Sequence, residues 1–136
     1  MKKFYKYENG IYTTIVDCVF APSKNKKVWL SVKIESEFLT IKKGVITVKK
    51  GFKFNGLTKH KDHYWLMLAA AFHDAVLPED LSDKSLVDQL KKIDRKAKDQ
   101  LFLEVATYKK SIIIRIKSYI HYIAVRAYSI LKEVKI

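Results

Sequence analysis

Residues 11–20 alternate along the chain. Ile11, Thr13, Ile15, Asp17 and Val19 fall on one side, and Tyr12, Thr14, Val16, Cys18 and Phe20 on the other. Both sets carry β-branched or aromatic residues, which predicts a strand with at least one buried face. Ala21 to Lys27 holds Pro22, Ser23 and Asn25 and predicts a turn. Alternation resumes from Val28 to Ile34, with Val28, Leu30, Val32 and Ile34 on one face. A short strand follows over Phe38 to Ile41, then a turn at Lys43-Gly44, a strand from Val45 to Lys49, and a last extended piece, Gly51 to Phe54. Short strands with tight connections predict an antiparallel meander of four or five strands.

The period changes after Thr58. Asp62 is placed to cap a helix that runs from His63 to about Val76 and ends at Pro78. Apolar residues surround that helix, so it is expected at the centre of the fold. Leu77 to Ser82 is a loop, and Ser82 or Asp83 caps a second helix. Leu86, Leu90, Ile93, Ala97 and Leu101 step along it by three and four, and it runs to about Thr107. A third helix spans about Lys110 to Glu133, with an apolar arc of Ile112, Ile116, Tyr119, Ile120, Ile123, Ala127 and Leu131. The expectation is one α+β domain over residues 1–136, strand-rich from 1 to 58 and helical from 59 to 136, its N-terminal antiparallel sheet packed against about three helices.

Composition bounds this picture. With 136 residues, 49% of them hydrophobic, the chain is the size of one ordinary domain and can bury a real core without a metal or disulfide staple. The one cysteine, Cys18, rules out an internal disulfide framework and is expected to be an inert buried thiol. No apolar run follows the N-terminal charges Lys2, Lys3 and Lys6, so a signal peptide is not expected. The longest uncharged apolar run, Tyr64 to Phe72, is far short of the roughly 20 residues that cross a bilayer, and the chain is not expected to be transmembrane. The chain is not expected to be secreted.

The net charge of +13 is uneven. Residues 1–53 hold 12 Lys/Arg and 4 Asp/Glu, residues 54–104 hold 8 and 9, and residues 105–136 hold 7 and 1. A basic field favours polyanions. Because the excess is mostly Lys scattered along strands and turns, solubility is the simpler reading, with weak, non-specific polyanion binding.

Three features are candidates for chemistry. His73-Asp74 lies on the most apolar helix, where an ionisable pair needs hydrogen-bonding partners. Either it is a ligand or acid/base pair, or it is a structural histidine with a carboxylate near the helix end. Arg95 and Asp99 are four apart and suit a helical ion pair. Phe102 and Ala106 share their face, opposite the leucine stripe, which argues that the pair is partly buried. Gly51 to Thr58, with Asn55 and Thr58, can present polar groups from a tight turn or simply connect strand to helix. His60 and His63 are expected at a solvated helix start.

In order and spacing these three segments, over about residues 45–130, resemble the phage and prophage domain-of-unknown-function family 1353. The segments are Val48–Thr58, Ala69-Ala70-Ala71-Phe72-His73-Asp74 and Arg95-Lys96-Ala97-Lys98-Asp99-Gln100-Leu101-Phe102. The family pattern has a Gly-Phe strand ending in Asp-x-x-Ser, an Ala-rich helix bearing His-Asp, and an Arg-x-x-x-Asp-x-x-Phe helix. Here Asn55 stands for the Asp, Thr58 for the Ser, and Lys59-His60 where a Pro often follows. Asn55 would weaken that position as a metal ligand or base. The resemblance implies that Asn55, Thr58, His73, Asp74, Arg95 and Asp99 converge. They would then either hold a divalent cation through His73, Asp74 and Asp99, or close a polar network with no reaction.

The implied function is a phage- or prophage-encoded accessory or virion-associated protein that acts by binding, with a protein partner in a phage assembly or the host. The alternatives are a small metal-assisted hydrolase acting on cell wall or nucleic acid, and a basic nucleic-acid-binding module. On the last helix, Arg115 and Arg126 flank one edge of the apolar arc, and Lys117, His121 and Lys132 the other. A packed C-terminal helix is the expectation. A helix lying on an anionic membrane with snorkelling cations, or one touching nucleic acid, is the alternative.

Overall fold

A computed structural model describes residues 4–54, 64–77, 84–108 and 112–134. Asp62, Pro78, Ser82 and Asp83, assigned above as helix caps and stops, lie outside the described residues, as do Asn55, Thr58, His60 and His63.

The chain opens with a hairpin of β1 (Tyr5–Glu8) and β2 (Ile11–Thr14), closed by Asn9-Gly10 with φ of 52° and 80°. Positive φ at both central residues matches the right-handed strand twist, and Asn-Gly adopts it at little cost. β3 (Cys18–Phe20), β4 (Ile34–Glu35), β5 (Leu39–Lys42), β6 (Val45–Val48) and β7 (Lys53–Phe54) follow. They form two antiparallel sheets, ordered β1-β2-β7 and β3-β6-β5-β4, in place of the one expected meander. Lys43-Gly44 makes the β5–β6 turn, again with positive φ at both residues.

The strand expected over residues 11–20 therefore breaks in two. The buried Thr14 hydroxyl donates to the Lys49 carbonyl at 2.9 Å and accepts from the Phe52 amide at 3.0 Å. The Asp17 carboxylate accepts from the Lys50 amide at 2.8 Å. These side-chain bonds compete with the strand ladder and pin residues 14–17 to the bend at Lys49–Phe52, where Gly51 takes a φ of 95°. Each half then pairs with a different sheet.

Val28 to Ile34 is also not one strand. α1 (Lys26–Leu30) occupies its start, and only Ile34 and Glu35 pair as β4. Trp29, Val32 and Ile34 are buried while Leu30 is exposed, so the face that matters begins at Trp29 with helical spacing. The helix is held from outside. Glu104 accepts from the Ser23 amide and hydroxyl and the Lys24 amide, and Asn25 Nδ2 donates to the Gln100 side chain.

α2 (Tyr64–Ala75) is buried on nearly every described side through Leu66, Met67, Ala69, Ala71 and Phe72. It packs on β6 and β7 on one side and on a later helix on the other, which explains its lack of a polar face. The helix expected to reach Thr107 without interruption is two helices, α3 (Lys84–Lys91) and α4 (Arg95–Thr107). Asp94 separates them, its carboxylate accepting from the Ala97 amide at 2.9 Å as an N-cap. The break lets both Leu90 and Ile93 enter the core. α4 lies between α2 and α5 (Ile112–Val134), with Asp99, Leu101, Phe102, Val105 and Ala106 buried. The order sheet, α2, α4, α5 gives the α+β architecture expected from the pattern.

α5 departs from expectation in its orientation. Its apolar arc points away from the protein: Ile116, Ile120, Ile123 and Leu131 are exposed, while Ser118 and Ser129 are buried. Small polar residues let α5 lie close on α4, and the reason sits at the centre of that seam.

Candidate functional site

Asp99, on the second turn of α4, is 0% exposed. A buried carboxylate persists only with partners for its lone pairs, and three helices supply them. From α2, His73 Nε2 is 2.7 Å from Asp99 Oδ1. From α5, Arg126 Nη1 donates to Oδ2 at 2.9 Å. From one turn earlier on α4, Arg95 Nε stands 3.5 Å from Oδ1 and donates to the Ser129 hydroxyl at 3.1 Å. The Ser129 hydroxyl in turn bonds Asp99. Asp99 is thus a hub joining α2, α4 and α5.

His73 is oriented on both sides. Its Nε2 faces Asp99, and its Nδ1 is 3.9 Å from Asp74 Oδ1. The Phe102 ring meets the imidazole edge-on, with centroids 6.0 Å apart. Burial disfavours the imidazolium, but hydrogen bonding to Asp74 and Asp99 and the two negative charges outweigh it, so the His73 pKa is raised. Burial likewise opposes ionisation of Asp99. Hydrogen bonds from His73, Ser129 and Arg126 and the His73 charge reverse that and hold its pKa low. The surrounding carboxylates thus stabilise the protonated imidazole more than a free one, with guanidinium groups also beside Asp99.

The cluster forms one end of an open cleft of ≈ 380 Å³ between α2, α4 and α5. His73, Asp74, Arg95 and His121 supply its polar lining, with Phe102 and Val125 among its apolar walls. Asp99 lies beneath this surface.

Of the sequence candidates, His73, Arg95 and Asp99 are brought together, and Asp74 stands beside His73 at the cleft. Asn55 and Thr58 lie outside the described residues. Ser129 and Arg126 complete the hub, although Arg126 was placed only at the edge of an apolar arc. The available signal was its lone charge among Ile123, Ala124, Val125 and Ala127.

The geometry does not build a metal centre from His73, Asp74 and Asp99. Among the described residues no group of three or more His, Cys, Asp or Glu side chains is placed to hold a metal ion. Both Asp99 oxygens are engaged by protein donors, and two guanidinium groups beside them would repel a cation. His73 Nε2 is engaged by Asp99 at 2.7 Å, while its Nδ1 stands 3.9 Å from Asp74, longer than a good hydrogen bond, and the residue lines the cleft.

No family model, curated protein or solved structure matches the chain in comparisons with known proteins.

Proposed function

We propose that this protein acts by binding, and that the His73–Asp99–Arg126 network is the lock that fixes the helical layer from which it binds. The observation that carries the reading is the complete burial of Asp99, with both carboxylate oxygens engaged by donors from two other helices. Fully satisfied buried networks rigidify a fold and specify one packing. The setting is the one the motif order suggests, that of a phage- or prophage-encoded accessory or virion-associated protein with a partner in the assembly or the host.

Thermal unfolding with and without divalent cations tests this reading, because a ligand that binds only the folded state raises the melting temperature. Magnesium, manganese, calcium and zinc should leave the melting temperature of the wild-type protein unchanged. His73→Ala should lower it in all conditions alike. A metal-dependent rise in the wild-type protein that His73→Ala abolishes would establish a metal site and refute the lock.

A further inference from the structure

The outward face of α5 is the largest feature the lock leaves unexplained. Ile116, Ile120, Ile123, Ile130 and Leu131 are 47–63% exposed, and they follow one another along the helix. At about 100° per residue they fall, with Ala124 and Ala127, in one arc about 120° wide, diametrically opposite Ser118 and Ser129. Tyr119 and Tyr128, also exposed, sit at its two margins. Lys117 falls between Ala124 and Tyr128, and beyond the margins lie Lys132 on one side and Arg115 on the other, all exposed. Lys132 Nζ lies 5.6 Å from the centre of the Tyr128 ring. An apolar face of this extent on a soluble surface marks an interaction site.

We infer that this face of α5 docks the protein on an anionic lipid surface, with the helix lying in the plane of the membrane interface. Charge complementarity selects this occupant. Arg115, Lys117 and Lys132 border the face, and the one acid in α5, Glu133, falls on the Arg115 edge at the C-terminal end, so the borders carry a net positive charge. A second copy packed face to face would bring like-charged rims together, whereas phospholipid headgroups would neutralise them. The cross-section is that of an interfacial helix: aliphatic centre, tyrosines at the water boundary, and cations whose alkyl stems cover apolar surface while their charges reach headgroups. At 23 residues the helix is about 35 Å long. No helix among the described residues is long and apolar enough to cross a membrane, so α5 lies on the bilayer. The Asp99 lock serves this arrangement directly. Arg126 and Ser129 hold the polar edge of α5 against α4, which obliges the opposite, apolar face to point outward.

The inference rests on the reading of the protein as a binder, yet it fails separately from it. A metal-linked stabilisation would remove the lock and leave lipid binding to be judged by its own experiment. That experiment is flotation of the full chain with vesicles of phosphatidylglycerol and phosphatidylcholine mixed, or of phosphatidylcholine alone. The protein should float with the anionic vesicles and remain behind with the neutral ones. Ile120→Ser/Ile123→Ser should weaken binding by roughly tenfold or more at unchanged melting temperature, since both side chains are exposed. Lys117→Gln should weaken it roughly fivefold. Failure to bind anionic vesicles would overturn the proposal. So would binding that the double serine variant leaves intact, which would assign the attraction to charge alone and admit nucleic acid as the ligand. A dimer in sedimentation equilibrium that the serine variant dissociates, without vesicle binding, would give the face to a second copy of the chain.

Discussion

Replacing Asp99 by Asn changes little in shape and removes the charge on which the helical layer converges. The carboxylate receives His73 Nε2 on one oxygen and Arg126 Nη1 on the other, at 2.7 and 2.9 Å. An amide offers one acceptor, so its NH2 group must face either the imidazole N–H or the guanidinium. One charge-assisted hydrogen bond is lost outright, at about 1.5–3 kcal/mol, and a donor is turned against a donor. Breaking a fully buried ion pair costs about 3–5 kcal/mol. The Arg95 and Arg126 side chains are 17% and 22% exposed, so water partly compensates them and the lower end applies. The expected loss is about 3 kcal/mol. With an unfolding entropy near 2.1 cal/mol/K per residue, this corresponds to a fall of about 10 °C in melting temperature. Urea denaturation followed by circular dichroism and by the fluorescence of the buried Trp29 measures it. A cycle with Arg126→Met should return a coupling energy above about 1 kcal/mol. A loss below about 1 kcal/mol, or additive effects in the cycle, would show that Asp99 is not the hub.

The same pair sets a pH dependence. The His73 pKa is raised, so its contribution is complete below the ordinary imidazole value of about 6.5 and is lost as pH climbs through the folded-state pKa. The Asp99 pKa is lowered, so its contribution is complete above the ordinary carboxylate value of about 3.9 and is lost as pH falls through the folded-state pKa. Denaturation midpoints should therefore decline on the alkaline side, and Asp99→Asn should flatten that limb; an unchanged limb in the variant would place its origin elsewhere. Burial, then the neighbouring Asp17 charge, pushes the Cys18 thiol up to about 11. At pH 8 it should react with an aromatic disulfide reagent roughly a hundredfold more slowly than a free cysteine, and at the ordinary rate once unfolded. Rapid labelling of the folded protein would contradict its buried placement.

How much of this was legible in the sequence depended on whether the deciding contact was local. The apolar surround of α2 announced a central helix, because burial on every side leaves no polar stripe for any contact to override. The two-sided character of Asp99, Phe102 and Ala106 likewise pointed to a helix held between two others. The Asn9-Gly10 hairpin was equally local and available from the dipeptide alone. Val28 to Ile34 misled because its alternation is genuine but Trp29, at the other parity, is buried alongside Val32 and Ile34. The segment leading into that stretch is held at Ser23 and Lys24 by Glu104, some eighty residues away. The break at Asp94 was hidden because a cap inside a periodic stretch does not disturb the period. For α5 the arc was visible but not its direction. An amphipathic pattern identifies two faces, and which one turns inward was decided by Arg126 and Ser129 meeting Asp99.

The proposed lock requires His73 to be an imidazolium held between Asp74 and Asp99. Nitrogen-15 NMR of the histidine side chains across a pH titration observes this directly, since protonated and unprotonated ring nitrogens resonate far apart. Both nitrogens of His73 should remain protonated past the ordinary value of about 6.5, with the midpoint falling in the Asp99→Asn variant. A neutral tautomer already dominant below that pH, with one unprotonated nitrogen, would contradict the lock and favour His73 as a candidate base.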